Sequence, residues 1–193
     1  MTIDEYLVMP PNDQHTLLVY GKIVALPPCG AKHNRALSYL GLMLDRWTRH
    51  YKKGTLRLNG DMVLDTAKAL VHSPDLLYAS TANRRRFKDG RLFGPADLCV
   101  DIIERALPDY VACRKFADYQ RYGVSWYWCW YLDRSPAIFV ECQLMNGRYE
   151  FRREIEADQW FEPGLFPGLV FRLPQLLEGD LKAAVKGKAK KLM

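Results

Sequence analysis

Apolar and polar positions change rhythm several times along the chain, and each change marks an element. Between 32 and 52, Ala36, Leu37, Leu40, Met43, Leu44, Trp47 and Tyr51 recur at the spacing of one helical face. This predicts the longest helix, stopped by Gly54. Before it, segments 17–20 and 22–26 join at Gly21 and predict a hairpin or bulged strand pair, which Pro27, Pro28 and Gly30 end. A short helix over 2–8 is marked by Thr2 as N-cap with Glu5 three residues on. Strand-like runs follow at 55–58, 61–65, 69–72 and 75–79, then a polar, arginine-rich piece at 83–90 and an apolar strand at 97–103. A second helix is expected over 109–122, between Asp109 as N-cap and Gly123 as its stop. The aromatic run 126–132 predicts a central strand, and Asn146-Gly147 turns a hairpin of 137–142 and 149–155. Strands, helix and aromatic strand in this order predict a mixed α/β sheet flanked by helices.

Composition bounds this picture more than it sharpens it. The 193 residues suit one compact domain, expected over 1–180 with a basic, flexible tail at 181–193. A formal charge of +6 allows an anionic partner, but Lys182, Lys186, Lys188, Lys190 and Lys191 carry much of it. The five cysteines include no CxxC pair and no zinc-like spacing with the four histidines. Cys99 and Cys129 stand in apolar runs and read as reduced core residues, which fits a cytoplasmic protein better than a disulfide framework. The opening residues carry acids rather than a signal-peptide core, and no stretch is long and apolar enough for a membrane span.

Chemistry concentrates at three residues. Asp75 in Ser73-Pro74-Asp75-Leu76 and Asp101 in Leu98-Cys99-Val100-Asp101-Ile102-Ile103 sit in or beside apolar strands. A charge there is costly unless a metal or hydrogen bonds compensate it. Two such carboxylates, with the Ile102 carbonyl as a third oxygen, suit a hard divalent cation such as Mg²⁺ or Mn²⁺. Lys115 would then orient or help deprotonate an attacking water, or stabilise a charged transition state. Taken singly, each residue has a plainer reading. Asp75 after a proline can cap a turn, Asp101 can face solvent from an edge strand, and Lys115 can sit on a helix surface.

The order Pro74-Asp75, then Asp101 on a strand, then a lysine resembles the PD-(D/E)XK nuclease superfamily. More closely, the chain resembles the Uma-two type of restriction endonucleases over nearly its whole length. The likeness is carried by Gly21-Lys22-Ile23-Val24 before Pro27-Pro28, His33 at the head of the long helix, and Ser73-Pro74-Asp75-Leu76. It continues through Gly94-Pro95-Ala96-Asp97-Leu98, Lys115-Phe116-Ala117-Asp118-Tyr119, Tyr122-Gly123-Val124-Ser125-Trp126 and Phe166-Pro167-Gly168-Leu169. In this family the lysine has moved from two residues after the second acid, here Ile103, onto the next helix, where Lys115 stands. The resemblance implies a restriction-endonuclease-like fold, Mg²⁺- or Mn²⁺-dependent hydrolysis of DNA, metal ligation by Asp75, Asp101 and Ile102, and catalysis by Asp75, Asp101 and Lys115. No nucleotide cofactor is implied, and a homodimer would suit cleavage of both strands. The chain departs from the family at Leu17, Tyr20 and Val111, where acids are usual, and has Asp101 where glutamate is usual.

His33 and Tyr119 are further candidates for lining the site, each with core packing as the alternative. Arg84, Arg85, Arg86 and Lys88 are candidate phosphate contacts or else a solvated surface. The acids replaced at Leu17, Tyr20 and Val111 favour a rival of another class, a catalytically inactive nuclease fold acting as a DNA-binding or protein-interaction module. A small-molecule-binding protein, with affinity for neither metal nor DNA, is a third reading.

Overall fold

The computed structural model describes residues 1–9, 16–104, 109–156 and 158–193, with the side chains of 109–112 also outside the description. The side chain of Asp109, the expected N-cap, and that of Val111, the family position, therefore lie outside the description, as do residues 105–108. In chain order, helix α1 (Ile3–Leu7) precedes the hairpin of β1 (Thr16–Val19) and β2 (Lys22–Ala25). The long helix α2 (Ala31–His50) is followed by β3 (Gly54–Leu58), β4 (Met62–Asp65), β5 (Leu70–His72) and β6 (Leu76–Ser80). Then come β7 (Phe87–Lys88), β8 (Arg91–Phe93), β9 (Leu98–Ile103), helix α3 (Asp109–Tyr122) and β10 (Trp126–Tyr131). The chain closes with β11 (Ile138–Met145), β12 (Arg148–Glu156), β13 (Val170–Phe171), α4 (Leu173–Glu178), α5 (Leu181–Ala184) and β14 (Val185–Lys186).

Two six-stranded sheets form, in the orders β2-β1-β5-β4-β8-β7 and β12-β11-β10-β9-β6-β3. The second sheet positions the site. Its β9 and β10 are parallel neighbours, so the chain must cross over between them, and α3 makes that crossing. Alternation along β9 then divides its side chains. Leu98, Val100 and Ile102 join the core with α2 residues Leu40, Met43 and Leu44, whereas Cys99 faces Tyr119 of α3 and Met62 and Leu92 of the first sheet. Asp101 shares the parity of Cys99 and so points towards α3. The aromatic strand β10 lies between β9 and β11, with Trp128 and Trp130 on the α2 face and Tyr127 and Cys129 on the other.

Helix α2 ends at His50 with Tyr51 as its C-cap, short of the expected stop at Gly54, which instead begins β3. The segment 181–193, expected as a flexible tail, is instead packed. The Asp180 carboxylate caps α5 by accepting from the Ala183 amide at 2.9 Å, and β14 pairs with β13. Leu181, Ala184, Val185 and Ala189 alternate with the lysines and are buried in the α2-side core, while Arg46 donates to the Met193 carbonyl at 2.9 Å. Lys186 lies over the Trp160 ring. Counting charges hid a short amphipathic pattern. Among the described residues no helix is long and apolar enough to cross a membrane.

Candidate active site

Strands β6 and β9 run antiparallel with Leu76 opposite Val100 and Leu77 opposite Cys99. One further step of the same register sets Asp75 across from Asp101, and antiparallel partners project from the same face. Local chemistry holds each in place. Pro74 ends the preceding extended segment, and the Asp75 carboxylate accepts from the Ile102 amide at 2.5 Å through Oδ2. Asp101 is only 3% exposed; its Oδ1 accepts from Lys115 Nζ at 2.5 Å and its Oδ2 from the Tyr127 hydroxyl at 2.9 Å. Lys115 is itself buried, delivered to Asp101 by the α3 crossover. A buried ion pair of this kind persists only when both charges are compensated. Burial pulls the lysine pKa down, but the charges of Asp101 and Asp75 outweigh it and the net shift is upward.

The first turn of α2 brings His33 to the same place, its Nε2 3.1 Å from Asp75 Oδ1. Burial lowers the imidazole pKa, but the hydrogen bond and charge of Asp75 carry it above its ordinary value. Cys29, in the loop before α2, places Sγ 3.7 Å from His33 Nε2. Glu104, just beyond β9, closes the pocket by accepting from the Gly30 amide at 2.8 Å. A Cβ on Gly30 would lie 2.3 Å from that carboxylate, so glycine lets α2 approach the end of β9. Burial and then the charges of Asp75 and Glu104 push the Cys29 thiol pKa up.

Asp75, Asp101, Ile102, Lys115 and His33 thus line one pocket. Tyr119 does not line it: it is fully buried behind the site, edge-on to His72 and Tyr127 at 5.5 and 5.2 Å between ring centres. Arg84, Arg85 and Arg86 form an exposed turn leading into β7, where Arg86 donates to the Pro95 carbonyl at 3.0 Å; none of them, nor Lys88, lines the pocket. Leu17 and Tyr20 line a neighbouring cavity with His72 and Arg114. Cys29 and Glu104 were not singled out as site residues from the sequence. Their only local signals are the Pro27-Pro28 stop before Cys29 and an acid at the end of an apolar strand.

This paired-carboxylate pocket at a β–α–β crossover belongs to a nuclease fold. A crystal structure of "a putative nuclease belonging to DUF820 from Anabaena variabilis ATCC 29413" has the same fold, with a TM-score of 0.73 at 15% identity. The match covers 92% of this chain and 98% of that one. Residues 3–174 match the family model Uma2, described as "Putative restriction endonuclease", and the chain belongs to that family. No curated protein matches the chain.

Proposed function

We propose that this chain is a metal-dependent endonuclease that hydrolyses DNA phosphodiester bonds. The observation that carries the reading is Asp75 and Asp101 in one pocket, with the buried Lys115 ammonium on the second carboxylate. Charge supports a cation there. Asp75, Asp101 and Glu104 outnumber the Lys115 ammonium in the pocket even with His33 protonated, so negative charge is left for a divalent ion to offset. Asp75, Asp101 and the Ile102 carbonyl offer the oxygen donors that Mg²⁺ or Mn²⁺ prefers. Such an ion, when bound, would supply charge stabilisation to the phosphoryl oxygens.

The protein's own groups do the positioning. Lys115 holds Asp101 Oδ1, and Tyr127 holds Oδ2, so the carboxylate has one orientation. The Ile102 amide fixes Asp75 in the same way. The Lys115 ammonium adds fixed positive charge beside the attacked phosphate, where it stabilises developing negative charge.

Cleavage of supercoiled plasmid with Mg²⁺ or Mn²⁺ tests the reading, with wild type and purified Asp101→Asn compared side by side and folding of both checked by circular dichroism. Wild type is expected to cut, a chelator to stop it, and folded Asp101→Asn to lose about a hundredfold or more in rate. Absence of cutting, or equal cutting by both proteins, would sink the assignment. One observation favours a second reading in that event: Leu17, at a family acidic position, is apolar and only 1% exposed. An inactive fold would then show salt-sensitive DNA binding without hydrolysis.

A further inference from the structure

The pocket holds a second donor set of different chemical character. Cys29, His33 and Asp75 form a cluster in which each offers one ligand atom, and these atoms all lie within 4.8 Å of one another. A tetrahedral zinc with ordinary bond lengths holds imidazole nitrogen and carboxylate oxygen about 3.4 Å apart, and imidazole nitrogen and thiolate sulfur about 3.6 Å apart. The corresponding separations here are 3.1 and 3.7 Å. Two of the three donor pairs thus stand near the edges of such a tetrahedron.

Local structure explains the arrangement. Gly30 is the N-cap of α2, so Cys29 and His33, four residues apart and not read as a metal spacing in the sequence, bracket the helix start. Asp75 reaches them from the residue before β6. Sulfur, nitrogen and oxygen together suit a borderline ion, whereas Mg²⁺ avoids thiolate. The two donor sets therefore prefer different ions and have Asp75 in common.

We propose that Cys29, His33 and Asp75 form a binding site for zinc or a similar borderline divalent ion, and that its occupancy withdraws Asp75 from the paired aspartates and inhibits hydrolysis. The inhibition rests on the proposed nuclease function; the binding does not. On binding, the Cys29 thiol loses its proton to solvent and a sulfur–metal bond forms, with no change of oxidation state. Three protein ligands leave the fourth position to water.

Cobalt(II) serves as the spectroscopic probe, titrated into the full chain in thiol-free buffer. A near-ultraviolet thiolate-to-cobalt band is expected to saturate at equimolar cobalt and to decline when Zn²⁺ is added. Cys29→Ser should abolish it, and Cys113→Ser, at the other exposed cysteine, should retain it. Zn²⁺, unlike Mg²⁺, should slow alkylation of Cys29 by iodoacetamide about tenfold or more. In the plasmid assay Cys29→Ser should require at least about tenfold more Zn²⁺ for half-inhibition, a loss that even outer-shell partners can produce. No band at saturating cobalt, or a band that survives Cys29→Ser, overturns the site. Equal Zn²⁺ inhibition of wild type and Cys29→Ser overturns the inhibitory role. If no ion supports cleavage, the nuclease reading and the inhibitory role fall together, and the cobalt spectrum still decides the site.

Discussion

Asp101 has almost no contact with solvent, and its two oxygens depend on two side chains from different elements, Lys115 of α3 and Tyr127 of β10. Removing the ammonium alone leaves a buried carboxylate with one neutral donor. Lys115→Met is therefore expected to destabilise the protein by about 3–5 kcal/mol, the cost of stranding one partner of a buried pair. Asp101→Asn combined with Lys115→Met removes the stranded charge and should recover most of that loss. Urea unfolding of the two variants checks both statements, and equal destabilisation by single and double changes would show that stranding is not the cause. Asp75 and Asp101 stood out in the sequence as acids in or beside apolar runs, the resemblance pointed to Lys115, and the structure brings the three into one pocket. Cys29 and Glu104 were not. Their place depends on the start of α2 abutting the end of β9, a contact between Gly30 and Glu104 across 74 residues. Tyr119, named as a site-lining candidate, shows the converse limit. Helix spacing placed it one turn from Lys115, but only packing against His72 and Tyr127 reveals that it lies behind the pocket.

The elements around the site owe much of their register to two-residue turns. Val19 pairs with Lys22, Lys88 with Arg91 and Met145 with Arg148, each around a residue and a glycine both at positive φ. That is the hairpin geometry matching the right-handed twist of strands. Gly147, at φ +77°, has no atom within 4 Å of where a Cβ would stand, so substitution there tests backbone conformation alone. Gly147→Ala should cost about 1–2 kcal/mol through left-handed strain. It should leave Co²⁺ binding at Cys29 unchanged. Thermal melting reads the first and the cobalt band the second; an unaltered melting temperature would mean that the turn relaxes. The Asn146-Gly147 turn was readable because strands of eight and nine residues flank it, and the Gly21 turn because an apolar run lies on either side. Asp89-Gly90 was absorbed into an arginine-rich stretch, since β7 and β8, of two and three residues, are too short for alternation to register. The lysines of 181–193 likewise outweighed the few apolar residues that dock that segment.

At the scale of the whole molecule, the division of strands between two sheets was the least legible feature. Alternation identifies strands but not partners, and pairings such as β1 with β5 and β4 with β8 join segments far apart in sequence. The junction between the first sheet and α3 contains His72, which is fully buried with Nε2 2.9 Å from Asp118 Oδ2. Its other ring nitrogen, Nδ1, is buried with no hydrogen-bond partner among the described residues. Burial dominates here: desolvation lowers the imidazole pKa from 6.5, and neighbouring Asp118 only partly opposes it. Between the unfolded value and the lower folded one, the native state binds fewer protons than the unfolded chain. Stability from this residue is therefore present above about pH 6.5 and lost as pH falls below it. Glu141 works in the opposite sense, because burial raises its carboxyl above 4.5 and favours the protonated native form as pH falls. Comparing wild type with His72→Gln cancels that contribution and isolates the histidine. The amide keeps a donor for Asp118 but cannot titrate. Unfolding free energies measured from pH 7.5 down to 5 should show wild type losing stability relative to His72→Gln by up to about 1.4 kcal/mol per pH unit below about 6.5. Parallel pH profiles would mean that His72 binds its proton equally well in the folded and unfolded chain, with Asp118 fully offsetting the cost of burial.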